Sequence, residues 1–197
     1  MKPKAWAAWG LWLVAAAGPM AQAAAATAER HASAGIATQA AASADGRQTV
    51  FVRQLPGPPP ATELWWSRAQ GQPPQRLLQE KAHTDPKRTL AGFNNPVFAA
   101  DGQSVYVMTQ AWATSNAIHR IDLRTGRTRF VAAGNSVQVV PRGRWAGHLV
   151  VMQHKYAPGG GALDHCWLLT PAGREVRRVG RNEAEAAAFM AAAQASR

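Results

Sequence analysis

The sequence predicts an all-β fold of three four-stranded antiparallel units in succession, followed by a short C-terminal helix. Three observations carry this. First, a short pattern recurs three times along the 197 residues. Its clearest copy runs from Phe93 to Thr109 and from Asn116 to Val131: strand, Asp-Gly turn, strand, loop, strand, Thr-Gly turn, strand. Second, the turns between third and fourth strands end at Gly71, Gly126 and Gly173, spaced by 55 and 47 residues. A four-stranded unit repeated every ~40–55 residues indicates a propeller or a linear array. Third, Trp65 and Trp66 are adjacent on one strand and so point to opposite faces. Burying both requires packed sheets on either side, as in a stack of propeller blades.

The first 23 residues read as a secretory signal peptide. Lys2 and Lys4 form a positive start, Ala5 to Ala17 an apolar stretch, and Ala21-Gln22-Ala23 a small-x-small cleavage site. The competing reading is a membrane anchor, but the stretch is short for ~30 Å of hydrocarbon. Residues 24–35 read as a disordered leader of low complexity. The repeats occupy residues 36–180, and the helix and tail residues 181–197.

In unit one, Ile36 to Ser43 is a weak strand and Asp45-Gly46 a hairpin turn. Thr49 to Arg53 is β-branched and aromatic, as strands prefer. Pro56 to Pro60 is a stiff loop that cannot enter a sheet interior. Glu63 to Ser67 is the third strand, Ala69 to Gly71 the turn, and Gln75 to Leu78 the fourth strand. Glu80 to Lys87 is a polar linker. Unit two places strands at Asn95 to Ala99, Val105 to Thr109, Ala117 to Leu123 and Thr128 to Val131. Unit three places them at Val137 to Val140, His148 to His154, His165 to Leu169 and Glu175 to Val179. From Asn182 the period changes. Asn182 is a fair N-cap, and Glu183 and Glu185 suit the first turn of a helix. The Ala-rich remainder, carrying Phe189 and Met190, reads as a short and weakly amphipathic helix, expected to cap a blade face poorly.

The stretch Asn95 to Val107 resembles the TolB-like β-propeller repeat, a WD-repeat-like family of exported bacterial proteins. Pro96, Phe98, Asp101, Gly102, Ile121, Asp122, Leu123 and Gly126 match its pattern. Ala99-Ala100 replaces the usual Ser-Pro, and unit three keeps neither the Asp-Gly nor the Asp-Leu. The resemblance implies protein–protein or protein–ligand binding, typically at a central channel. Closed members carry about six blades, within the usual range for propellers. Three blades leave two terminal faces without a neighbour, and a homodimer closing a six-bladed ring is the expected solution.

Net charge is +11 for the full chain, and +9 without Lys2 and Lys4. Export excludes nucleic acid as the partner. An envelope protein or a small ligand is expected instead, in a periplasm, with no membrane span after signal cleavage. The bland reading of the charge is an Arg-rich, Ala-rich composition. Cys166, the single cysteine, excludes an internal disulfide and reads as a small buried hydrophobe, with a reactive thiol as the alternative. No cofactor and no metal site are expected.

Function is read as a non-enzymatic binding module, and no catalytic residue is assigned. Ser115, Ser136 and Thr170 are hydroxyls without a nucleophile elbow, which leaves hydrolysis as the least favoured reading. His148, His154, His165 and Asp164 share unit three, either as a loose metal set or as scattered surface histidines. The stronger candidates join second and third strands. Trp112, Ser115 and Asn116 offer stacking area beside donors and acceptors, and His154 and Tyr156 offer the same in unit three. Asn94 and Asn95 precede the strand that lines a propeller channel. The alternative is that Trp112 plugs a blade interface and the asparagines make ordinary turn bonds. A small-molecule or glycan-binding protein using these residues is the second functional reading.

Overall fold

The computed structural model describes residues 36–68, 72–157 and 159–195. The signal peptide, the leader and the Ala69 to Gly71 turn read from the sequence lie outside them. Twelve strands form three four-stranded antiparallel sheets, each in simple meander order. Blade one holds β1 (Ile36–Ala42), β2 (Thr49–Leu55), β3 (Ala61–Ser67) and β4 (Gln75–Gln79). Blade two holds β5 (Asn94–Phe98), β6 (Ser104–Gln110), β7 (Asn116–Asp122) and β8 (Thr128–Gly134). Blade three holds β9 (Ser136–Val139), β10 (Leu149–Tyr156), β11 (Ala162–Leu169) and β12 (Glu175–Gly180). A helix, α1 (Glu183–Ala195), follows. The first strands β1, β5 and β9 touch in succession, so the sheets fan from a common inner edge.

The turns behave as their chemistry dictates. Gly102 takes φ +64°, a region open to glycine at little cost. Its N–H donates to the Ala99 carbonyl at 3.0 Å. Asp101 accepts from the Gln103 and Ser104 N–H groups through one oxygen and from Arg120 on β7 through the other, at 2.6 Å. The turn therefore locks three strands of its sheet.

Alternation along the strands sends side chains to both faces. Val50, Val52, Leu64 and Trp66 of blade one meet Phe93, Phe98, Val105, Val107 and Ile121 of blade two. Tyr106, Met108 and Ile118 on the opposite face of blade two meet Val137, Leu149, Val151 and Leu169 of blade three. Gln48 crosses the first seam: it accepts from the Trp66 indole and donates to the Gly102 carbonyl. The second seam is close enough that a Cβ on Gly173 would lie 2.0 Å from the Val131 carbonyl oxygen.

Two expectations need correction. Trp65 and Trp66 do lie on opposite faces, but only Trp66 is buried between blades. Trp65 stacks on Phe51 at 6.5 Å, with Arg53 over its ring and its N–H donated to Glu63. Local aromatic and charged partners cover it instead of a second sheet. The helix, expected to cap poorly, covers the outer face of blade three. Ala186, Met190 and Ala193 are buried against Val140, Val150, Cys166 and Leu168. Small side chains let the helix lie close: a Cβ on Gly180 would sit 2.9 Å from the Ala186 nitrogen. Asn182 caps it by accepting from the Glu185 N–H at 2.9 Å. A head-to-tail ring of two chains would have to displace this helix.

Two outcomes follow for stability. Gly102→Ala meets no neighbouring atom, so it is expected to cost about 1 kcal/mol of backbone strain. Gly173→Ala must also part the second seam, and about 2–3 kcal/mol is expected for overpacking against backbone. Urea unfolding that ranks the two in the reverse order would refute the seam geometry. Deleting residues 182–197 bares Val140, Val150 and Leu168, and the truncated chain is expected to self-associate at micromolar concentration in light scattering. A truncated chain as monodisperse and as stable as the parent would show that the face needs no cover.

Candidate functional site

All three connections between second and third strands leave their sheets at the same end, as the meander order requires. That end carries two separate groups of the residues singled out from sequence. On blade two, Trp112 is 38% exposed, and its N–H donates to the Ser115 carbonyl at 2.9 Å. Its ring meets Phe130 of β8 edge-on at 6.2 Å. It stands on the rim, outside both apolar seams. Asn116 is held by Asn135, whose side-chain oxygen accepts from the Asn116 N–H at 3.2 Å while its amide donates to the Thr114 carbonyl at 2.8 Å. Ser115 contributes through its backbone.

On blade three, His154 Nδ1 lies 2.8 Å from Asp164 Oδ1, and Tyr156 meets the imidazole edge-on. Tyr156 is 74% exposed at the end of β10. Lys155 lies over Trp167 and pairs with Glu175. His148 precedes β10 and packs on Trp145, away from the other histidines. No group of metal-ligating side chains forms among the described residues.

The asparagines part company. Asn94 donates to the Gly92 carbonyl at 3.0 Å, an ordinary turn bond. Asn95 sits at the inner edge of the fan with φ +47°. Its N–H donates to the Gln39 side chain of β1, and its amide to the Val137 carbonyl of β9 at 3.4 Å. One residue of blade two thus reaches both neighbours.

The hydroxyls named as remote nucleophiles have structural uses: Ser136 Oγ accepts from the Met152 N–H and Thr170 Oγ1 from the Arg174 N–H. The Cys166 thiol is buried and directed to the Asn182 carbonyl. Burial, reinforced by Glu183 and Glu185, pushes its pKa up. A thiol held in its protonated form is a poor nucleophile.

One feature escaped the sequence reading. The segment between blades one and two folds back as a closed loop. Lys81 and Leu90 exchange backbone hydrogen bonds at 2.7 and 2.9 Å, pinning its base. The Glu80 carboxylate accepts from the Thr62 N–H, the Thr62 hydroxyl and the Gly92 N–H. Between this loop and the outer strands of blade two lies a cavity of about 440 Å³. The loop contributes Lys81, His83, Lys87 and Arg88 to its walls, and blade two contributes His119, Thr128 and Phe130. His119 is 2% exposed, and its Nε2 has no hydrogen-bond partner among the described residues. Burial pushes the His119 pKa below the ordinary value, only partly opposed by the Thr89 backbone.

No family model and no curated protein sequence matches the chain. Solved structures do. An acylaminoacyl peptidase from Pyrococcus horikoshii aligns over 76% of this chain and 26% of its own, at 10% identity and TM-score 0.53. TolB from Acinetobacter baumannii aligns over 72% and 31%, at 14% identity and TM-score 0.47. The β-propeller domain of the Trilobed protease from Pyrococcus furiosus aligns over 73% and 42%, at 9% identity and TM-score 0.49. The chain spans about a quarter to two-fifths of these proteins. At such identities the likeness is one of fold, and the fold is propeller-type. It also corrects one expectation. Enzymatic function was set aside from sequence, yet blades of this shape occur within peptidases, so the fold gives no ground for that exclusion.

His119 gives a pH prediction. Its folded pKa lies below the unfolded value of about 6.5, so the unfolded chain binds the extra proton first. Its contribution to stability is complete above pH ~6.5 and declines as pH falls through the window below it. The His119 ring is expected to titrate below the unfolded value by NMR. A His119 that titrates at or above pH ~6.5 would show the ring to be solvated.

Proposed function

We propose that this chain is an exported binding module that engages an envelope protein through the connections at one end of its blades. The observation that carries the reading is the placement of Trp112 and Tyr156. Both are solvent-accessible aromatic side chains at the same end of neighbouring sheets. Such side chains supply large contact area at low entropic cost, and they dominate many interfaces. Their frames are prepared in advance. Asn135 fixes the Trp112 loop, and the Ala157 N–H donates to the Gly161 carbonyl beyond Tyr156. The resemblance of the repeats to the TolB-like pattern, the signal-peptide reading of residues 1–23, and the absence of a membrane-crossing helix among the described residues are consistent with a periplasmic partner. A small-molecule or glycan-binding role rests on a separate feature, the cavity beside the inter-blade loop.

Photo-crosslinking tests the reading. A photoreactive residue at position 112 or 156 is expected to yield the same adduct in intact cells. One at Thr125 or Arg142, in turns at the opposite end, is expected to yield none. Against the partner so identified, Trp112→Ala is expected to cost about 2 kcal/mol of affinity with unfolding little changed. A variant that unfolds readily yet keeps its affinity would make Trp112 a packing residue for Phe130 and remove it from the interface.

A further inference from the structure

The cavity between the 81–90 loop and blade two has a composition that packing alone does not explain. Four basic side chains, Lys81, His83, Lys87 and Arg88, converge on it, and no acidic residue lines it. None of the ion pairs among the described residues uses any of the four. The two carboxylates nearest in sequence are engaged elsewhere. Glu80 is held by Thr62 and Gly92, and one Asp85 oxygen accepts from the Lys87 N–H. Like charges gathered at one concave surface repel one another and raise the local potential for an anion. On the inner side, His119 is buried with an unpartnered Nε2. A buried polar nitrogen without a partner carries a desolvation cost that a bound acceptor relieves.

We propose that this cavity binds a phosphate-bearing ligand, with Lys81, Lys87 and Arg88 holding the phosphate and His119 donating from the inner wall. The size suits a small molecule: about 440 Å³ falls within the range of ligand clefts. Phe130 and Leu90 give the wall an apolar part, and Lys87 already lies 5.7 Å from the Phe130 ring centre. The favoured ligand is therefore a phosphomonoester with a compact apolar group, either free or as the headgroup of a lipid. Arg88 offers a forked donor set for two phosphate oxygens, and the lysines add compact charge. The loop can serve as a fixed wall because the Lys81–Leu90 pairing closes its base and Thr89 ties its end: the Thr89 hydroxyl donates to the His83 carbonyl, and the Thr89 carbonyl accepts from Thr109. This site is independent of the top-face aromatic residues.

Phenyl phosphate is the probe. Calorimetry on the exported chain at low ionic strength is expected to show saturable one-to-one binding. The double variant Lys87→Ala/Arg88→Ala is expected to weaken it at least about tenfold, since each charge-assisted phosphate contact is worth roughly 1 kcal/mol or more. The variant Arg142→Ala/Arg174→Ala removes the same charge from exposed turns of blade three and is expected to bind as the parent does. The His119 ring resonances are expected to shift on addition of the probe, and affinity to rise as pH falls through the titration of His83 and His119. The charged groups that bear on this are Lys81, Asp85, Lys87 and Arg88 of the loop; blade two adds Thr128 and Phe130, which are neutral. Sedimentation with phosphatidylcholine vesicles, with and without phosphatidic acid, assigns the source. Binding to the acidic vesicles that phenyl phosphate displaces identifies a lipid headgroup, and its absence beside calorimetric binding identifies a soluble phosphomonoester. No saturable binding in either arm overturns the proposal. So does equal weakening in both double variants, which marks unspecific attraction, or binding that leaves His119 unmoved.

Discussion

Each sheet of this chain is apolar on both faces across its inner seams, and that one constraint organises the rest. Four short strands make a ribbon too narrow to shield either face by itself. Val50, Val52 and Leu64 have no use except against a second sheet, and Tyr106 and Ile118 none except against a third. Stacking is thus a condition for folding at all, and it fixes where the connections go. Because consecutive blades must lie face to face, the chain returns from the outer strand of one sheet to the inner strand of the next along the same end. The loops that carry accessible aromatic side chains are gathered at that end as a by-product. At blade three the stack stops, and a helix of small residues takes the place of a fourth sheet.

Crossing between blades one and two takes fourteen residues, Glu80 to Phe93; crossing between two and three takes Asn135 alone. A long crossing needs its own fastening, and Glu80 supplies it by satisfying two backbone donors and a hydroxyl. The surplus length stands against the outer strands of blade two and encloses a space. A cavity made this way owes nothing to the aperture of a propeller, and its chemistry is set by the connecting segment.

The strands were legible in the sequence for physical reasons. Alternation marks a strand, and the Asp-Gly and Thr-Gly turns mark its ends, so the expected strand boundaries agree with the observed ones to within about three residues. The helix start was legible in Asn182 and its two following acids. What resisted reading depended on distance along the chain. Trp65 reads as an interface residue until Phe51, Arg53 and Glu63 are seen beside it. Asn94 and Asn95 look alike, yet one caps its own turn and the other spans the fan, a difference set by φ and by partners about forty to sixty residues away. The cavity was the least legible feature. Its basic wall lies in plain view as Lys81, His83, Lys87 and Arg88, but the segment reads as a linker. Nothing local ties it to His119 or Phe130, which lie some thirty to fifty residues on.

Asn95 has a mechanical consequence. The apolar seams resist separation of neighbouring sheets, but they are non-directional and offer little resistance to sliding. The tie at the inner edge is different in kind, because it is directional and it spans blades one, two and three at a single residue. A torque applied to blade three, as by a partner pulling on its outer hairpin, arrives at blade one through this amide before either seam has yielded. The inner edge acts as an axle, and the three sheets turn about it as one body.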